Sequence, residues 1–148
     1  MITAAEFANY FNGRGTDCLV DTRLINGYYS TIMFYGEDIM TKADFVQDEE
    51  IFFDAFTLKS CSGLDQKEIA RRLNVLNAVM PGANLVFANG KLSQLQSVDT
   101  TVTGLEEMYS MAAYNAELVR NAYRLIFCDA EAMEQMMRTA TPAEDEDE

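Results

Sequence analysis

Two Asn-Gly pairs, Asn26-Gly27 and Asn89-Gly90, constrain this chain more than any other feature. A two-residue hairpin loop needs positive φ at both central positions, and Asn-Gly adopts that conformation at least cost. Each pair lies between apolar runs, so each predicts two antiparallel strands and sets their register. In "CLVDTRLINGYYSTIMFYG", Cys18 to Gly36, Ile25 falls opposite Tyr28, Leu24 opposite Tyr29, Val20 opposite Met33 and Leu19 opposite Phe34. In "ANLVFANGKLSQLQSV", residues 83–98, Ala88 meets Lys91 and Phe87 meets Leu92. Leu92 and Leu95 are three apart, which breaks strict alternation and predicts a bulge or an early strand end there.

The first hairpin has two unequal faces. One carries Cys18, Val20, Thr22, Leu24, Tyr29, Thr31, Met33 and Tyr35 and reads as a core face. The other carries Leu19, Asp21, Arg23, Ile25, Tyr28, Ser30, Ile32 and Phe34, of which five of eight are apolar or aromatic. A third strand, "IFFDAFTL" from Ile51 to Leu58, sets Phe52, Phe56 and Leu58 on one side and Ile51, Phe53 and Ala55 on the other. Strands apolar on both sides belong in a sheet covered on both sides. Leaving such a face wet forfeits about 25 cal/mol per Å² of apolar area. A helix of this chain, a second copy or a segment of another protein is therefore expected to cover it. The residues expected to meet a partner are Leu19, Ile25, Tyr28, Ile32, Phe34 and Phe53.

Helices frame the strands. Thr3-Ala4-Ala5-Glu6 has capping-box spacing, with Ile2 and Phe7 placed as a staple, and predicts a helix from Ala4 to Phe11 ending near Gly13. Asp65-Gln66-Lys67-Glu68 repeats the box, and Leu64 with Ile69 the staple. Behind it Ile69, Leu73, Leu76 and Met80 form one stripe before Pro81-Gly82 ends the helix. A long final helix follows Thr103, with Glu106 at N3 and an apolar side from Leu105 to Phe127. Residues 129–137 extend it or form a separate short helix. Glu37 to Glu49 is mixed and acidic and reads as a loop. The expected order is α-β-β-β-α-β-β-α. That is one α+β domain over residues 1–138 on an antiparallel sheet, with 139–148 as a disordered acidic tail.

The stretch "ARRLNVLNAVMPGANLVFANGKL", Ala70 to Leu92, resembles the YbjN-like family, in which a helix ending in a leucine-asparagine repeat meets a proline stop and then a hairpin. The matching residues are Leu73, Asn74, Leu76, Asn77 and Pro81, then the strand Leu85 to Ala88. The resemblance runs from about Leu64 to Phe127, and the strand after Gly90 departs from it in being less apolar. It implies the fold of type III secretion chaperones. These are small, acidic, usually dimeric α+β proteins that hold an extended stretch of a partner protein along their surface.

Composition narrows the chemistry. The chain contains no histidine, which removes the usual general base, every Ser-His-Asp or Cys-His arrangement and the commonest zinc ligand. Cys18, Cys61 and Cys128 lack C-x-x-C spacing, and Gly13-Arg14-Gly15 lacks the further glycine of a dinucleotide fingerprint. Asp44, Asp48, Glu49, Glu50 and Asp54 lack the glycine and spacing of an EF-hand and read as a solvated loop. No enzyme activity, cofactor or metal is expected. The net charge is −13, five of it in the tail Glu144 to Glu148, and this disfavours nucleic acid and anionic membranes as partners. The three cysteines, odd in number and widely spaced, read as buried free thiols in a reducing compartment. The opening "MITAAEFANYF" lacks the parts of a secretion signal, so a cytoplasmic location is expected.

Asn74 and Asn77 are expected to bond main-chain groups where helix and hairpin join, because an unpaired buried amide costs about 1–3 kcal/mol. Met108 and Met111 are expected to fill the core; Met133, Met136 and Met137 either do the same or form an adaptable docking surface. The reading that results is a non-enzymatic protein-interaction module of the YbjN-like, secretion-chaperone-like kind, expected as a homodimer. It would bind a partner protein segment through the apolar sheet face. The alternative is a small-ligand-binding or carboxylate-dependent enzyme domain using tyrosines such as Tyr28, Tyr29 and Tyr109. A deep pocket with converging polar groups would favour it.

Overall fold

The structure, a computed structural model, describes residues 2–14, 21–25, 28–47, 49–61 and 63–140, with the side chains at 21–23, 25, 28, 46, 47 and 140 outside that description. In chain order the elements are α1 (Ala4–Asn12), β1 (Asp21–Ile25), β2 (Tyr28–Tyr35), β3 (Ile39–Gln47), β4 (Glu50–Thr57), α2 (Gln66–Val79), β5 (Leu85–Ala88), β6 (Lys91–Asp99), α3 (Leu105–Tyr123) and α4 (Ala130–Ala140). A π-helical turn, Arg124–Cys128, joins the last two. The strands form one antiparallel sheet in the order β1-β2-β3-β4-β6-β5. This is a single α+β domain.

Local chemistry explains most of the element starts. Thr3 Oγ1 accepts the Glu6 N–H at 3.1 Å and Glu6 Oε1 accepts the Thr3 N–H at 2.9 Å, so the first capping box closes. Phe7 and Phe11, one turn apart, are then buried together. At α2 the expected box stays open. Asp65 caps the Lys67 N–H at 3.0 Å, but Glu68 binds Arg71 and Arg72 at 2.9 and 2.7 Å. Guanidinium groups are stronger partners for a carboxylate than one amide. At α3 the cap is Gly104, not Thr103, and it makes no side-chain bond.

The second hairpin follows its turn chemistry. Asn89 and Gly90 have φ of 55° and 73°, and the pairs Ala88–Lys91 and Phe87–Leu92 form as expected. Neither the bulge nor the early strand end expected after Leu92 is present: β6 runs nine residues, with unbroken register to β5 over 91–94 and to β4 over 93–99. Leu92 faces the helices and Leu95 the other side, so an apolar residue on each face produced the irregular spacing. In the first hairpin Ile25–Tyr28 and Leu24–Tyr29 pair as expected; Asn26-Gly27 and the pairs involving Leu19 and Val20 lie outside the described residues.

The largest difference is at Glu37 to Glu49. That stretch is not a loop but β3, a central strand paired with β2 and β4, with an irregularity between Asp44 and Gln47. Its helix-side residues Thr41 and Ala43 are 0% exposed. Small side chains there let α3 approach closely, and they carry no hydrophobic signal. The charges of Lys42 and Asp44 project from the opposite face.

The helices pack on one face of the sheet. One cluster joins Phe7 and Phe11 of α1 to Met33, Phe53 and Met108. A second joins Ile69, Leu73 and Leu76 of α2 to Leu85, Leu92, Ile126 and Met133. α3 spans both. Asp129 ends the π turn, accepts the Ala132 N–H at 3.1 Å and starts α4, which packs against α2. Met133 and Met137 are thereby buried and Met136 packs beside them, which resolves that stretch as a separate helix and those side chains as core. α4 extends to Ala140, two residues past the expected domain end; 141–148 lie outside the described residues.

Candidate functional site

Register decides what the opposite face of the sheet carries. From β2 come Ser30, Ile32 and Phe34; from β3, Met40, Lys42 and Asp44; from β4, Phe52, Asp54 and Phe56; from β6, Ser93, Leu95 and Ser97. Ile32, Phe34, Met40, Phe52, Phe56 and Leu95 are each half-buried, and none belongs to either cluster under the helices. No helix of the described residues crosses this face. The expectation of a sheet covered on both sides is therefore met on one side by the chain's own helices.

A polar row runs through the middle of the apolar residues. Ser30 Oγ donates to Asp44 Oδ1 at 2.5 Å, and Lys42 Nζ lies 3.7 Å from Asp44 Oδ2. Asp44 is thus held from two sides. Asp54 sits directly across from Lys42 on β4, yet its Oδ1 is buried with no hydrogen-bond partner. Burial raises the Asp54 carboxyl above its ordinary value of 3.8, against the opposing effects of Lys42 and a hydrogen bond from Ser93; Asp44 adds to the rise. At the rim, Lys91 Nζ donates to the Leu58 carbonyl at 3.0 Å and stands 5.9 Å from the Phe56 ring centroid.

The six residues expected to meet a partner divide. Ile32 and Phe34 are on this face. Phe53 is not: it is 0% exposed beneath α1 and α3, and its neighbours Phe52 and Phe56 occupy the outer face instead. The alternation of β4 puts odd-numbered positions under the helices, and an apolar run alone does not say which parity that is. Ile25 pairs with Tyr28 at the end of the first hairpin, and their side chains lie outside the description; Leu19 lies outside it altogether. Met40 and Leu95 were missed. Met40 falls in the stretch whose acidic composition reads as a loop, and the three-residue step from Leu92 to Leu95 reads as a bulge or an early strand end.

Other expectations resolve individually. Asn77 brackets the outer edge of β5, donating to the Leu85 carbonyl at 3.0 Å and accepting the Leu85 N–H at 2.7 Å, as expected of an amide at the helix–hairpin junction. Cys61 is buried but Cys128, at the end of the π turn, is exposed, contrary to the reading of all the thiols as buried. Asp44 and Asp54 stand on strands, not in a solvated loop. No group of three or more Cys, Asp or Glu among the described residues is placed to hold a metal ion. No helix among them is long and apolar enough to cross a membrane.

Among the described residues, clefts open on the helix side. One, of about 250 Å³, is lined by Gln96, Glu107, Ser110, Met111 and Tyr114; another, of about 210 Å³, by Asp38, Thr57, Lys59, Arg120 and Tyr123. Both are smaller than common ligand pockets, which run about 300–1,000 Å³. In the second, Arg120 is held by Asp38 at 2.7 and 2.9 Å and by the Tyr35 carbonyl at 2.9 Å. Gly36 beside this pair has φ +68°, a conformation that favours glycine, and a Cβ there would stand 3.2 Å from Asp38 Oδ1. Of the tyrosines named for a catalytic alternative, Tyr29 is 52% exposed beside Leu24, and Tyr109 stacks edgewise on Phe11 at 5.2 Å. Compared with protein-family models, curated proteins and solved structures, the chain matches none.

Proposed function

We propose that this protein is a non-enzymatic interaction module that binds a segment of a partner protein on the outer face of its sheet. The observation that carries the reading is the set Ile32, Phe34, Met40, Phe52, Phe56 and Leu95, half-buried on a face that no helix of the described residues crosses. The four described helices all pack on the other face, and apolar residues interleaved with a few polar ones on an uncovered face mark interaction surfaces. The resemblance of Ala70 to Leu92 to the YbjN-like family, with its secretion-chaperone-like fold, supports a carrier of protein segments in the cytoplasm. A second copy would set a net charge of −13 against another, so a different protein is the favoured occupant over a homodimer.

Ile32→Asp and Phe56→Asp test this. Each is expected to abolish capture of a partner from the native host while leaving the helical circular dichroism unchanged. Sedimentation of the unmodified chain separates a dimer from a monomer. If the substitutions alter neither capture nor sedimentation, the outer face is not the binding surface.

A further inference from the structure

We infer that the outer sheet face takes a basic amphipathic helix of a partner protein, and that one Lys or Arg on the helix's apolar side anchors on Asp54. The inference rests on the binding face proposed above and specifies what fills it.

The face supplies the acceptor first. Asp54 lies on β4, one of the two central strands of the six, so it marks the middle of the surface. On its own strand Phe52 and Phe56 flank it, two residues either way; in its row stand Lys42 and, beyond, Ile32 on one side and Leu95 on the other. Its Oδ1 has no partner, while the nearest cation, Lys42, lies 3.7 Å from Asp44. A buried carboxylate oxygen without a donor is costly, and a charge-assisted bond from an incoming cation removes that cost. The apolar residues around it exclude water from such a bond, an arrangement found at the centres of protein interfaces. The Phe56 ring, already near one ammonium group at 5.9 Å, also suits a second cation.

Size and shape favour a helix. Six half-buried side chains offer on the order of 300 Å² of apolar area, well short of the roughly 800 Å² per partner of a standard interface. One helix about 10 Å across spans two strand spacings of about 4.8 Å and covers the β2–β4 stripe. Addition of a strand at β5 is opposed by Asn77, which already occupies the outward N–H and carbonyl of Leu85. The net charge of −13 supplies the long-range attraction for a basic helix.

The probe is an 18-residue Leu/Lys amphipathic peptide with one arginine at the centre of its apolar side, against the same peptide with citrulline there. Binding to the full chain is read by fluorescence anisotropy at two salt concentrations. The arginine peptide is expected to bind at least tenfold more tightly than the citrulline peptide, and Asp54→Asn is expected to erase that difference. Because citrulline changes the ligand alone, the comparison holds whatever the substitution does to folding. Equal binding of both peptides, lost on Phe56→Ser, overturns the anchor and leaves the binding face standing. Binding indifferent to Phe56→Ser as well overturns both. No binding of the arginine peptide, or a dimer that buries Phe56, overturns the inference.

Discussion

A single strand, Glu50–Thr57, shows two surfaces with opposite properties. Ile51, Phe53 and Ala55 are all 0% exposed beneath the helices, while Phe52, Asp54 and Phe56, alternating with them, are half-buried and face away from every helix of the described residues. The polar groups differ in the same way. On the covered side Gln94, 1% exposed, accepts the Asn84 N–H at 2.7 Å and donates to the Gly82 carbonyl at 2.9 Å. Beside it Asn115 donates to Gln96 at 2.8 Å. On the outer side Asp54 Oδ1 is left unbonded. On the covered face the long amides are bonded, although the Thr41 hydroxyl there has no partner; the outer face keeps both apolar area and an unbonded carboxylate oxygen. A face left in that state is what binding can stabilise.

Substitution can break this contrast. Phe53→Ala should cost about 3–5 kcal/mol, the usual range for deleting a buried ring. Phe56→Ala on the outer face should cost about 1 kcal/mol or less. Urea denaturation measures both, and equal losses would mean that the outer face is already covered in solution. Next in size, Gln94→Leu should cost about 2–3 kcal/mol, because it strips the donors and acceptors that join β6 to the turn before β5 and to α3. A loss below about 0.5 kcal/mol in the same measurement would show that water replaces the amide, and the covered face would then be less dry than its packing implies.

The smallest effect has the opposite sign. Asp54 carries a raised pKa in the folded chain because burial disfavours its charge. The folded state therefore holds the proton more tightly than the unfolded state, and the native chain loses stability as pH rises from about 3.8 through the raised value. Asp54→Asn should accordingly stabilise the free protein at pH 7 by about 1 kcal/mol or less, and the gain should vanish below about pH 3.8. Denaturation curves across that range provide the check. A destabilised variant at neutral pH would mean that Asp54 Oδ1 already has a donor.

Much of the fold is legible where local chemistry acts alone. Asn89-Gly90 sets a turn because positive φ costs least there, and Thr3 with Glu6 closes a cap three residues wide. The stripe Ile69, Leu73 and Leu76 faces inward because helical spacing puts it on one side. β3 is hard to read for a physical reason: its helix-side Thr41 and Ala43 are small and look neutral, while Lys42 and Asp44 on the other face look solvated. The outer face was half legible. Ile32 and Phe34 follow from register, whereas Phe53 was set on the wrong side and Met40 and Leu95 were missed.

The sequence by itself determined where the chain turns and where its helices begin, because those choices depend on φ and on bonds between residues a few positions apart. Tertiary structure decided which side of each strand became interior. That choice depends on where four helices come to rest, and both sides of β4 offered them phenylalanine. It also decided that Asp54 Oδ1 would stand without a donor, since Asp44 holds the nearest cation, Lys42.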